Sequence, residues 1–433
     1  MRYHDTNFIN LTSTIFLCKG KSILNDMLKH LSFVLFLMGS FFCSAQSYIG
    51  FLSDNYSGVH GVVSNPANIA DSRFKTDINL VGASAFFVND YYGLKVSDAL
   101  KDGYDFNLDA TKSPTTNNNG NVNLDIMGPA FMFNLDKKSS LAIFTRARSF
   151  VNVNELNGET IDRLDDDIDS TVDYNINEGD IYGSGNAWAE VGLTYARTLM
   201  NKEQHFLKGG LSLKYLKGLG SAYITGKNID VNYDADGTTL PGGATTGSYA
   251  STGNITYGRF AEFEDENYEY EAPKNASGFG VDLGFVYELR PDHASYKTTK
   301  TNGDTDLHKD KNKYKLKVGL SITDLGSINY KDGLSDNYDI NATVSEDDIE
   351  NAEDLDMLFN DLYTLTSAQS NVKAILPTAL HLNADLNLSK HFYLNLNTDL
   401  SMASKSKENV SRISNIVSLT PRFESKWFSF YVP

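Results

Sequence analysis

Apolar and polar residues alternate with a period of two along most of the chain. In "LHLNADLNL" (380–388), Leu380, Leu382, Ala384, Leu386 and Leu388 share one face, and His381, Asn383, Asp385 and Asn387 share the other. After the link Ser389–His391, "FYLNLNTDL" (392–400) repeats the pattern, with Tyr393, Asn395, Asn397 and Asp399 on its polar side. Two such runs joined so tightly predict a hairpin with one apolar and one polar face. Segments 278–289 and 313–323 alternate in the same way. Further strands are predicted over 76–88, 121–135, 140–153, 186–199, 207–217, 221–233, 251–263 and 414–424. These runs are longer than the usual soluble strand of about five or six residues.

Two segments break the alternation. In "GVVSNPANIADSRFKTDINLVG" (61–82), Asn65 can cap a short helix that Pro66 starts, followed by Ala67, before a strand begins near Lys75. In "SEDDIENAEDLDMLFNDLYTL" (345–365), Ser345 can cap an amphipathic helix carrying Ile349, Ala352, Leu355, Leu358 and Leu362 at helical spacing. Some connections between strands are short, such as 135–140. Those at 154–184, 234–250, 264–276, 290–312 and 330–370 read as long, polar loops.

Composition narrows the classes. With 38 basic against 55 acidic residues and a net charge of −17, the chain is a poor nucleic-acid binder. Residues 28–45 carry a basic start, an apolar run from Leu31 to Phe42 and small residues at Ser44 and Ala45, the layout of a secretory signal. Its apolar core is too short for a membrane span of about 20 residues. The signal is assigned to 27–45, with cleavage between Ala45 and Gln46, and 1–26 reads as a non-native upstream extension. Both cysteines, Cys18 and Cys43, fall before the cleavage point.

Candidate chemistry is sparse. "DVNYDADG" sets Asp230, Asn232, Asp234 and Asp236 at every second position before Gly237, close to the start of an EF-hand loop. Gly243 stands where such a loop needs a bidentate Glu, so an acidic hairpin tip is the stronger reading and a weak Ca²⁺ site the second. No other cofactor is expected. The histidines past the signal are scattered without zinc spacing. His381 and Asp385 share a strand face, yet no serine stands in a motif with them, and the chain reads as non-enzymatic.

"SNPANIAD" before the first strand, with "GFGVDLGFVYEL" and "KVGLSITDLGSINY" later, resembles the FadL/PorV-like outer-membrane β-barrel superfamily, most nearly a Bacteroidota branch with no assigned activity. The resemblance implies an all-β fold: a transmembrane antiparallel β-barrel of about fourteen strands when complete, with a short N-terminal helical plug. Residues 46–75 would be the plug, with Asn65, Pro66 and Ala67 as its hinge, and 76–433 a barrel whose last strands are missing. A soluble β-sandwich also alternates, but strand length, the polar and glycine-filled face and the export signal favour the barrel. The function implied is binding or passage of a hydrophobic or small ligand. The alternative is an accessory barrel that docks partner proteins in type IX secretion or surface-protein handling. Either would sit in the cell outer membrane, among its lipids.

Overall fold

A computed structural model describes residues 50–433 apart from 102, 166–170, 240–244, 261, 265–268, 300, 302–304, 307, 309, 353 and 426. The signal segment, its cleavage point and the upstream extension lie outside the described residues.

One antiparallel sheet of fifteen strands carries the structure. They are β1 (Thr76–Asn79), β2 (Gly82–Asn89), β3 (Asn118–Asn134), β4 (Ser139–Leu156), β5 (Tyr174–Lys202), β6 (His205–Thr239), β7 (Thr245–Arg259), β8 (Ala276–Leu289), β9 (Leu316–Asp339), β10 (Ala342–Ser345), β11 (Thr364–Ile375), β12 (Ala379–Asn387), β13 (Phe392–Ser401), β14 (Ile416–Glu424) and β15 (Ser429–Tyr431). The main path runs β1-β3-β4-β5-β6-β8-β9-β12-β13-β14-β15. β8 is short, so the far halves of the long β6 and β9 are bridged instead by β7.

This corrects the closed-barrel expectation. The sheet is an open path with β1 and β15 at its ends, and among the described residues no ladder joins the two. Alternation reports which side chains share a face; it carries no information on whether the first strand meets the last. No helix among the described residues is long and apolar enough to cross a membrane, which says nothing about strands.

Several boundaries also move, for local reasons. The separate strands expected at 207–217 and 221–233 are one, β6. Gly218 and Gly220 mimic a turn in sequence, but a Cβ on Gly218 would lie 2.8 Å from the Tyr330 ring, so that glycine makes room for an aromatic side chain. The expected loop 330–370 contains β11, whose first eight residues are exposed on both faces and therefore show no alternation. The helix expected over 345–365 is two, Glu346–Glu350 and Leu355–Leu362. Ser345 caps the first, and Asp354 starts the second by accepting from the Met357 amide at 2.7 Å.

The two faces of the sheet are the reverse of a soluble sheet's. On β5, Val191, Leu193 and Tyr195 are exposed, whereas Glu190 and Thr194 are buried. Leu213 and Phe279 continue the exposed apolar face on β6 and β8, while Lys214 and Asp282 are buried behind it. An uncovered apolar surface of this extent is unusual for a monomer in water.

Residues 50–74 pack on the inner face. Val59, Val62, Ile69 and Ala70 form an apolar cluster with Met127, Met132 and Phe144. A 3₁₀ turn, Pro66–Ile69, opens with Asn65, whose Oδ1 accepts from the Ala67 amide at 2.9 Å. The same side chain donates to the Phe285 carbonyl (3.2 Å) and the Leu320 carbonyl (3.3 Å), so one amide ties the turn to β8 and β9. The segment also touches both ends of the sheet: the Val59 amide donates to Asp77 on β1 at 2.7 Å, and Asn55 Nδ2 donates to Glu424 on β14 at 3.1 Å.

Candidate functional site

Charges on the inner face are paired in three groups. Arg146 on β4 bonds Asp125 on β3 and, at 3.2 Å, Glu190 on β5. Arg148 reaches Asp324 on β9 at 2.8 Å, and Lys214 on β6 holds both Asp282 (2.6 Å) and Asp324 (2.5 Å). Nearby, Asp385 on β12 accepts from Arg422 at 2.9 Å and from the Tyr314 hydroxyl at 2.5 Å. At the N-terminal segment, Arg290 bridges Asp71 and Glu288, and Lys208 donates to the Ala70 carbonyl at 2.8 Å.

These pairings shift the acids. Burial alone would raise the Asp71 carboxyl, but Arg73, Lys313, Arg290 and Lys208 outweigh it and hold it well below the usual range. Burial is likewise overcome at Glu288 by Arg290 and Lys208, at Asp385 by Lys317 and Arg422, and at Asp324 by Arg148 and Lys214. Asp282, sharing Lys214 with Asp324, is instead raised, by burial first. Lys208 is pushed down to about 8 by burial, as is Lys313.

A pH dependence follows. The four depressed acids stay ionised in the folded chain while their unfolded counterparts protonate, so their contribution is complete above about pH 5 and is lost progressively below it. The lysines act oppositely. Their lowered affinity for a proton costs stability at neutral pH, and that cost is relieved as pH rises from about 8 to about 10.4, the range between their folded and unfolded values. The melting temperature is expected to fall steeply between pH 4 and 2, as scanning calorimetry would show. A flat profile there would mean that the acids are unpaired.

Beside the charged groups lies a cavity of about 100 Å³. Its wall includes the amides of Asn65, Asn383, Asn395 and Asn397 and the hydroxyls of Ser321, Thr323, Ser418 and Thr420, along with His381 and Asp399. A bulge in β9 shapes one side of it. Across from β8, Val281 pairs with Leu325 but Leu283 pairs with Ile322, so Thr323 and Asp324 together oppose the single residue Asp282. Both therefore face inward: Thr323 to the cavity, Asp324 to Arg148 and Lys214. Asp324 adopts φ 58°, a left-handed conformation uncommon outside glycine.

Thr323 Oγ1 lies 2.9 Å from His381 Nε2, and His381 Nδ1 lies 2.5 Å from Asp399 Oδ1. Asp385, singled out with His381 from sequence, shares its face but belongs to the Arg422 group. Asp399 is directly opposite His381 in the β12–β13 ladder. That neighbour was readable in the hairpin: a turn centred on Lys390 sets 381 against 399. Thr323 lies on the polar face that the alternation over 313–323 predicts; its pairing with His381 was not readable, because the two strands are joined by more than fifty residues of chain.

Asp230, Asn232, Asp234 and Asp236 lie in sequence along β6, where the Asn175 amide donates to Asp230 at 3.0 Å and to Asn232 at 2.9 Å. Among the described residues, no group of three or more His, Cys, Asp or Glu side chains gathers as metal ligands would.

Sheet and site together define an antiparallel β protein whose buried face is polar and charge-paired around a small cavity. Residues 66–433 match the family of unknown function DUF5723, and the chain belongs to that family. No curated protein matches it. This overturns the assignment to the FadL/PorV-like superfamily, which rested on short strand-ending patterns and an Asn-Pro-Ala run. The transport and docking roles, the outer-membrane location and the lipid, hydrophobic-ligand and protein partners came from that assignment and from barrel closure, and they fall with them.

Proposed function

We propose that the chain is a binding protein for a small, neutral, polyhydroxylated molecule held in this cavity. The observation that carries this reading is the division of labour in the wall. Arg146, Arg148 and Lys317 are paired with Asp125, Glu190, Asp324 and Asp385, and the remaining polar groups of the wall are mostly amides and hydroxyls. Amides present a donor and an acceptor side by side, which suits hydroxyl groups that do both. At about 10–15 Å³ per water-sized group, the cavity holds roughly seven to ten such groups, about one sugar ring.

The test is calorimetric titration of the purified chain with glucose, xylose and glycerol, together with thermal shifts at saturation. A ligand at one hundred times its Kd should add about 2.7 kcal/mol of stability. Asn397→Leu, which removes an amide from the wall, should abolish the heat without unfolding the protein. Absence of saturable binding by any of these polyols would sink the reading.

A further inference from the structure

We propose that Thr323, His381 and Asp399 form a nucleophilic relay that hydrolyses a small ester, an O-acylated polyol, in this cavity. The substrate class rests on the polyol reading above; the relay rests on its own geometry.

Three observations support it. First, the hydrogen bonds have the required order. Asp399 next to Nδ1 calls for a proton on that nitrogen, leaving the Nε2 lone pair to accept from the Thr323 hydroxyl, here 2.9 Å away. Asp399 is itself fixed by the Asn397 amide, which donates to its other oxygen at 2.8 Å. Second, the hydroxyl is placed by an irregular backbone. The bulge, with the left-handed Asp324 immediately after Thr323, re-aims both side chains, and such bulges recur next to active sites. Third, the cavity wall holds a cationic donor. Arg148 is anchored through Asp324, the residue after Thr323, and its buried Nε lies 3.6 Å from Asp125 and makes no hydrogen bond among the described residues. A donor of that kind can stabilise negative charge on an ester oxygen.

The chemistry balances with water as the only co-reactant. Thr323 Oγ1 forms a bond to the ester carbonyl carbon while its proton passes to His381 Nε2. The tetrahedral adduct collapses by breaking the carbon–oxygen bond to the polyol, which leaves with the proton from His381. Water, deprotonated by His381, then attacks the acyl-threonine; the carboxylic acid departs and the proton returns to Thr323. Thr323 and His381 are the catalytic residues, and Asp399 is a positioning residue that sets the tautomer.

The full chain would be assayed with 4-nitrophenyl acetate and with glycerol monoacetate, following acetate release by NMR. Wild type is expected to cleave both, and Thr323→Val to reduce cleavage to the buffer rate while melting at an unchanged temperature. Thr323→Ser should restore turnover, and Asp399→Asn should lower it roughly 10³–10⁴-fold. Mass spectrometry should find acetyl on the peptide containing Thr323. Cleavage unaltered in Thr323→Val, or no cleavage of either ester by folded wild type, would overturn the relay. If glucose binds but neither ester is cleaved, the relay fails and the binding reading survives. If 4-nitrophenyl acetate alone is cleaved, the relay stands and the polyol class fails.

Discussion

Replacing Asp324 with alanine is expected to destabilise the folded chain by roughly 3–5 kcal/mol, because it strips a partner from two buried cations at once. Arg148 and Lys214 both bond this carboxylate, and both are buried. Lys214 would keep Asp282, but Arg148 would keep only Asp125, 3.6 Å from its Nε. Alanine would also have to hold φ 58° without the side-chain bonding that suits Asp to this region. Asp324→Asn is the informative control. It tolerates the left-handed backbone and still accepts hydrogen bonds, so it loses the charge alone and should cost less. Urea unfolding of both variants gives the comparison; equal midpoints would mean that the charge contributes nothing.

The second large effect is steric. A Cβ on Gly210, on the inner face of β6, would fall 2.4 Å from the Pro66 carbonyl carbon and 2.5 Å from the Ala67 amide nitrogen. Backbone atoms cannot rotate aside as a flexible side chain can. Gly210→Val is therefore expected to lift the 3₁₀ turn from its seat at a cost of about 1–3 kcal/mol, with the sheet itself preserved. Trypsin should then cut rapidly after Arg73, whose side chain is almost fully buried in the wild type. A variant as resistant as wild type would show that the turn can be accommodated elsewhere.

How much of this was legible in the sequence depends on the kind of contact. Strands such as β12 and β13 were legible because side-chain alternation is a property of the single chain, and the hairpin between them fixed which residues face each other. The cap on Pro66 was legible for the same reason, since Asn65 bonds an amide two residues away. Closure and long-range pairing were not, because nothing in one strand encodes its distant neighbour. The bulge at Thr323–Asp324 is a sharper case. In sequence Ser321 and Thr323 continue the polar face, and only the added residue against Asp282 turns Asp324 inward as well. The family resemblance failed for a related reason: alternating strands with glycines look alike in unrelated β proteins.

The N-terminal segment has a consequence for how the molecule is made. Asn55 finds its partner, Glu424, 369 positions further along the chain, one of the longest loops the polypeptide can close. Contacts so remote are the slowest to form, and this one requires β14 to have been synthesised. The first part of the described chain is thus among the last to complete its native contacts. Until it does, Glu424 lacks the Asn55 amide, and a nascent chain interrupted before β14 lacks one of the partners that hold its own beginning in place.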